Sequence, residues 1–191
     1  MIQGRLAGLR ARHADDVAVL HAELYEDVPT RSRADSRPWR PLPADGGHSP
    51  YESAAPADHA AVFSVVDRAS GELAGEALLW GIDTHNRSAH LGISLRPGSR
   101  GRGIGAEVVQ LLCHYGFTVR GLHRLQVDTL ADNTAMIGAA RRAGFTLEGT
   151  LRRSAWVSGA FVDEVVLGLP VDEWQQPNDR DDHDDHHDRQ L

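Results

Sequence analysis

Three glycines at alternate positions, in Arg100-Gly101-Arg102-Gly103-Ile104-Gly105, are the residues most open to chemistry. Lacking a Cβ, glycine lets backbone N–H groups approach a ligand closely. A helix with the apolar stripe Val108, Leu111, Leu112 and Tyr115 is predicted to follow. Its N-terminus adds unpaired N–H donors and partial positive charge, which together suit a phosphate. Arg100 and Arg102 would add full charges. A flexible surface turn is the bland alternative, but strand, loop and helix fall in the order a phosphate cradle needs.

Two phosphate ligands compete. Gly101, Gly103 and Ala106 fit the dinucleotide fingerprint G-x-G-x-x-A, with Asp128 in reach of a ribose. Yet a dinucleotide glycine follows its strand directly, and here Arg96–Arg100 intervene, Pro97 among them. Only one further helix is expected downstream, too few units for a doubly wound sheet. No GKS or GKT follows the glycines, so this is not a nucleoside-triphosphate loop.

The surrounding pattern supplies the frame. A short strand is expected at Arg5–Arg10 and a helix from Ala14, with Val17, Leu20, His21 and Leu24 at helical spacing. Between Val28 and Asp58, Pro29, Pro38, Pro41, Pro43, Pro50 and Pro56 allow at most short helical turns. Ala61–Asp67 and Leu73–Asp83 read as a hairpin, and Ser88–Leu95 as a third strand. Leu122–Leu130 is the strand after the glycine-led helix, implying a parallel crossover. Asp132 or Asn133 caps a last helix that stops at Gly144. Closing strands are expected near Thr146–Ser154 and Phe161–Leu169.

Composition bounds the rest. With 191 residues, 41% of them hydrophobic, the chain suits one domain with a self-sufficient core. The single Cys113 excludes a disulfide framework. No run approaches the length of a membrane span. The opening MIQGRLAGLRARHADD lacks a signal-peptide core, which places the protein in the cytoplasm. Of the net charge of −7, the segment Asn178–Leu191 carries −4, from six Asp against two Arg. Nothing favours a nucleic-acid partner. Residues 1–175 are expected as the domain and 176–191 as a disordered Asp/His-rich tail.

Arg100-Gly101-Arg102-Gly103-Ile104-Gly105 resembles the R/Q-x-x-G-x-G/A signature of GNAT acyltransferases. The likeness extends over about Leu6–Leu169. Asn133, Ala135, Gly144-Phe145, Glu148-Gly149, Leu151-Arg152 and Asp163 resemble the RimJ/RimL-type branch. The resemblance implies an α/β (α+β) fold: a mixed, mostly antiparallel sheet with flanking helices and a splayed parallel strand pair that holds CoA. It implies acetyl-CoA as acyl donor, no required metal, and an amine acceptor, either a protein N-terminus or a small molecule. It allows a homodimer.

By that resemblance, pantetheine lies along the edge Ile93-Ser94-Leu95, and the cofactor-binding set is Ile93, Ser94, Leu95, Arg100, Gly101, Arg102, Gly103, Ile104, Gly105 and Asn133. A strand N–H there would polarise the thioester, a contribution of roughly 3 kcal/mol. The amine attacks directly, so Cys113 is not cast as a nucleophile. Candidate bases are His90, Glu76 and His123; related sequences often carry Glu where His90 stands. The family's frequent tyrosine acid is replaced by Ala140, leaving Ser94 or a water held by Asn133 as substitutes. Asn133 is equally a plain helix cap. Arg31, Arg33, Arg37 and Arg40 around Asp35 suggest a partly anionic or peptide acceptor. A non-catalytic acyl-CoA-binding regulatory module and an NAD-dependent oxidoreductase are the rival readings.

Overall fold

The computed structural model describes residues 1–35, 37–52 and 57–175. Eight strands form one sheet in the order β1-β2-β3-β4-β5-β6-β8-β7. They are β1 (Ile2–Gln3), β2 (Ala7–Arg10), β3 (Ala60–Asp67), β4 (Leu73–Asp83), β5 (Ser88–Leu95), β6 (Arg124–Leu130), β7 (Thr146–Val157) and β8 (Ala160–Pro170). Every neighbouring pair is antiparallel except β5 and β6. The helices are α1 (Ala14–Leu20), α2 (Val28–Ala34), α3 (Ile104–His114) and α4 (Thr134–Ala143). The expected mixed, mostly antiparallel fold is therefore observed. The tail expected over 176–191 lies outside the described residues. Among the described residues no helix is long and apolar enough to cross a membrane.

Alternation along the strands divides the sheet into two faces. Val65, Ala77, Leu79, Ala89, Leu91, Leu125, Val127 and Leu167 are buried in one core. Val108, Val109 and Leu112 of α3 and Ala139, Ala140 and Ala143 of α4 complete it, so both helices cover this face. Residues one step out of phase, Ser64, Glu76, Leu78, Trp80, His90, Gly92 and Ser94, share the other face by their register. Val17, Leu20, Leu24, Tyr25 and Tyr51 form a second, smaller cluster.

Three helices differ from the sequence reading. Pro29 sits in the first turn of α2 rather than breaking the chain, and the Asp27 carboxylate caps it by accepting from the Thr30 N–H at 3.3 Å. Both α1 and α3 run into wider π turns, at His21–Tyr25 and Tyr115–Val119. Asn133 caps α4, and Gly144, at φ +106°, ends it, as the sequence indicated.

Candidate active site

The site begins where two strands part. β5 and β6 pair only at Ser88↔Arg124, Ala89↔Leu125 and His90↔Gln126. Beyond His90, β5 stays with β4 as far as Gly75↔Leu95, while β6 stays with β8 as far as Leu130↔Glu164. The strands thus diverge in a V with its vertex at His90. One backbone edge of Leu91–Leu95 borders this opening without a strand partner among the described residues. Ile93 and Leu95 pack partly into the α3 core, so their contribution to the gap is backbone. Ser94 stands opposite Glu76, on the other face. Gly75 permits the close approach there: a Cβ on it would collide with the Ser94 carbonyl oxygen.

The glycine loop follows at the open end. Gly101 and Gly103 have φ of +73° and +82°, a region L side chains rarely occupy. Gly103 is the N-cap of α3 and, having no side chain, leaves the first N–H groups uncapped. A Cβ on Gly105 would lie 3.5 Å from the Leu95 Cδ1 atom, so helix and strand meet closely. Arg100 Nε donates to the Leu95 carbonyl at 2.9 Å, tying loop to strand. The Arg102 guanidinium is instead 2.7 Å from buried Asp67, on the β3 side, and Ile104 is buried in the core. Their part in any cradle is backbone. This arrangement fits a pyrophosphate group: uncapped amides, positive-φ glycines and an adjacent open strand edge.

Glu107, unnoticed in the sequence, fixes this corner. Its carboxylate accepts from the N–H groups of Arg5, Leu6 and Ala7 at 2.8, 2.6 and 2.6 Å. An acid in a first helical turn is read locally as a dipole partner; here it also anchors the N-terminal strand. A cavity of about 340 Å³, lined by Arg5, Asp67, Arg68 and Arg102, lies on this side and not in the V.

The candidate proton-transfer groups separate clearly. Glu76 is held at 2.9 Å by Arg12, itself almost inaccessible, which also donates to Ser64 Oγ and the Tyr51 carbonyl. Burial pushes the Glu76 carboxyl up, against the pull of Arg12. Burial, with the nearby Glu76 charge, pushes the Tyr51 phenol up to about 12. His90 is more open, at the vertex, with Nδ1 2.5 Å from Asp128 Oδ2 and its ring stacked on Trp80. His123, exposed just before β6, sits at the closed end of the strand pair, away from the V.

Asn133 spends both ends of its amide internally: Oδ1 accepts from Met136 N–H at 3.2 Å and Nδ2 donates to Thr129 Oγ1 at 3.0 Å. Its hydrogen bonds are those of a cap. The Tyr-to-Ala position, Ala140, is fully buried. Cys113 is buried too, and burial drives its thiol pKa up, consistent with an inert side chain. In the arginine-rich loop, Arg31 and Arg37 pair with Asp35, and Arg33 reaches across to Asp132 at 2.6 Å, so part of the loop's positive charge is engaged in internal ion pairs.

A parted parallel strand pair, a glycine loop and a helix leading from one strand to the other thus meet at one end of the sheet. Residues 7–146 match the Acetyltransferase (GNAT) domain family, and the chain belongs to it. The spermidine N(1)-acetyltransferase of Escherichia coli is 31% identical over 97 residues, covering 51% of this chain and 52% of that protein. The ribosomal-protein-serine acetyltransferase of the same species is 30% identical over 101 residues, covering 53% and 56%. The chain spans about half the length of these curated relatives. Mycobacterium smegmatis RimJ, solved with a CoA disulfide, superposes with a TM-score of 0.71 over 87% of this chain and 83% of that one, at 20% identity. Vibrio cholerae spermidine N-acetyltransferase, solved with CoA and spermine, gives 0.69 over 88% and 97%, at 18% identity. At these identities the structural likeness is one of fold.

Proposed function

We propose that the chain is an acetyl-CoA-dependent N-acetyltransferase of RimJ/RimL type, acting on a primary amine. The observation that carries this is the V between β5 and β6, open onto the uncapped N-terminus of α3. The N–H groups following Gly103, with those of the loop, would hold the pyrophosphate of acetyl-CoA. The free edge of Ile93-Ser94-Leu95 would hold pantetheine, and a strand N–H would polarise the thioester carbonyl. When bound, acetyl-CoA supplies the activated acetyl group.

The protein's own task is then to orient the amine and to take its proton. The amine nitrogen forms a bond to the acetyl carbon, the C–S bond breaks with its electron pair going to sulfur, and the second proton that the nitrogen sheds goes to that thiolate. Deprotonating an α-amine at pH 7 costs about 1 kcal/mol, against about 4–5 for a lysine side chain. A modest base suffices for the former. His90 is placed for this work better than Glu76, which is tied into a buried ion pair. Ser94, on the same face, is the candidate to steady the departing sulfur.

The acceptor is a protein N-terminus or a small amine, in keeping with a ribosomal-protein acetyltransferase and spermidine acetyltransferases among the relatives. The rival, a non-catalytic acyl-CoA sensor, draws on Ala140 in place of the family's tyrosine. Calorimetry with acetyl-CoA, with NAD as control, tests the cradle. Free-thiol release across a panel of N-terminal peptides and polyamines tests the transfer. Binding without turnover of any amine selects the sensor; no binding removes both.

A further inference from the structure

Three adjacent strands place one residue each around the vertex of the V. β4 contributes Trp80, β5 contributes His90, and β6 contributes Asp128. The rings of Trp80 and His90 lie 4.2 Å apart, only 20° from parallel. An ionised carboxylate only accepts, so the 2.5 Å bond to Asp128 requires the proton on His90 Nδ1. Nε2 has no hydrogen-bond partner among the described residues. Asp128 is itself oriented, with Oδ1 accepting from Gln126 Nε2 at 2.9 Å. Gly81, at φ +59°, leaves room for the ring, since a Cβ there would lie 3.3 Å from His90 Cδ2. On the same face Gly92, between His90 and Ser94, makes room for its β4 neighbours, since a Cβ there would lie 3.0 Å from Leu78 Cδ2 and 3.9 Å from Trp80 Nε1.

We propose that Asp128 and Trp80 are positioning residues that hold His90 with Nε2 as the proton acceptor for the incoming amine. The inference rests on the acetyltransferase reading above. It follows from tautomer, orientation and access together. Asp128 fixes the proton on Nδ1 and stabilises the imidazolium that forms when Nε2 takes a proton from the ammonium group. The neutral amine keeps the freed electron pair for attack, and the imidazolium later returns its proton to water. Trp80 prevents the ring from rotating off that line.

The charged neighbours are few. β4 offers the uncharged indole. β6 offers Asp128 and, on the same face, Gln126 and Arg124, the last engaged by Glu148 of β7. Burial alone would raise the Asp128 carboxyl; the hydrogen bonds from His90 and Gln126 hold it below its ordinary range instead. The carboxylate is therefore ionised wherever an amine acetyltransferase works.

The test is Asp128→Asn, alone and with His90→Gln, on the full chain. The amide removes the charge and can present its NH₂ group to the ring, favouring the wrong tautomer. The expected result is a kcat lower by about 10- to 100-fold with KM changed less than about twofold. With His90→Gln in place, Asp128→Asn should cost nothing further. Trp80→Leu should lower kcat, and Trp80→Phe should restore most of it.

A loss of the same size with and without His90, or a loss carried by KM rather than kcat, overturns the proposal. NMR of the 15N-labelled His90 ring reads its tautomer without turnover, with the proton expected on Nδ1 in the wild type. A tautomer unchanged in D128N overturns the proposal even where amines are acetylated. A wild-type protein that acetylates no amine overturns the acetyltransferase reading, and the proposal with it.

Discussion

Gly103→Ala separates the cradle from the fold. Gly103 has φ +82° and caps α3 without a side chain. Alanine in that region costs roughly 1–2 kcal/mol. Its Cβ would also stand 3.3 Å from the Leu6 Cδ1 atom, a flexible tip that can give way. For a chain of this size the expected fall in Tm is roughly 2–8 °C. Acetyl-CoA binding should suffer separately. Relieving the strain turns the peptide before Ile104, and one N–H no longer points at the phosphate. A hydrogen bond to a charged group is worth about 1.5–3 kcal/mol, so Kd should rise roughly 10- to 150-fold. Calorimetry at a temperature where the variant is fully folded reads that change. A lowered Tm with Kd within about twofold of wild type would refute the reasoning, because the strain would be real and the cradle elsewhere.

Arg12→Met should destabilise the protein by about 3–5 kcal/mol at pH 7, by stranding Glu76 in a buried site. Since burial already raises the Glu76 carboxyl and losing Arg12 raises it further, this penalty is full above the folded pKa. It should shrink as pH falls toward about 4.3, where the unfolded chain also protonates; urea unfolding at pH 7 and 5 checks it. Asp16 behaves oppositely. Burial favours its neutral form, but hydrogen bonds from Arg10, Ser64 and the His13 N–H prevail and hold its pKa far below normal. The stability it confers is full above about pH 4 and is lost as pH falls toward the folded pKa. Asp16→Asn should therefore cost about 1–3 kcal/mol at pH 7 and less at pH 3, read by denaturant midpoints. Cys113, buried with its thiol pKa raised, should resist Ellman's reagent until the protein is unfolded.

The elements were legible wherever local rules act alone. Ser88–Leu95 alternates polar and apolar residues and is a strand over those bounds. Asn133 and Gly144 bracket α4 because a cap and a left-handed stop are local chemistry. The glycine loop was legible for the same reason. What escaped were contacts between residues distant in sequence. Nothing near Glu107 announces that it will accept from residues about a hundred positions earlier. Glu76 has the type of a catalytic base, and only Arg12 in the folded chain shows what holds it. Asp128 was noticed for a ribose, and the strand register gives it to His90 instead. Arg33 pairs with Asp132 across about a hundred positions, a contact that no local pattern in the arginine loop announces.

The V needs a reason to stay open, since neighbouring strands with free edges would otherwise zip together. The pairing shows tension from both sides. On the β5 side, Arg96 extends the attachment to β4: its N–H donates to the Ala74 carbonyl at 2.9 Å and its guanidinium to the Leu73 carbonyl at 2.5 Å. The same guanidinium is held by Glu23, just beyond α1. Gly75 lets β4 approach Ser94 more closely than any side chain would allow. On the other side, β6 pairs with β8 through all seven of its residues. To close the gap, β5 and β6 would have to swing together while each carries its attached neighbour, which strains the Arg96 contacts and the close β4–β5 approach at Gly75. The free edge is thus preserved by stronger commitments elsewhere, and a ligand that brings its own hydrogen-bonding groups, as an amide-containing pantetheine arm does, satisfies it without displacing anything.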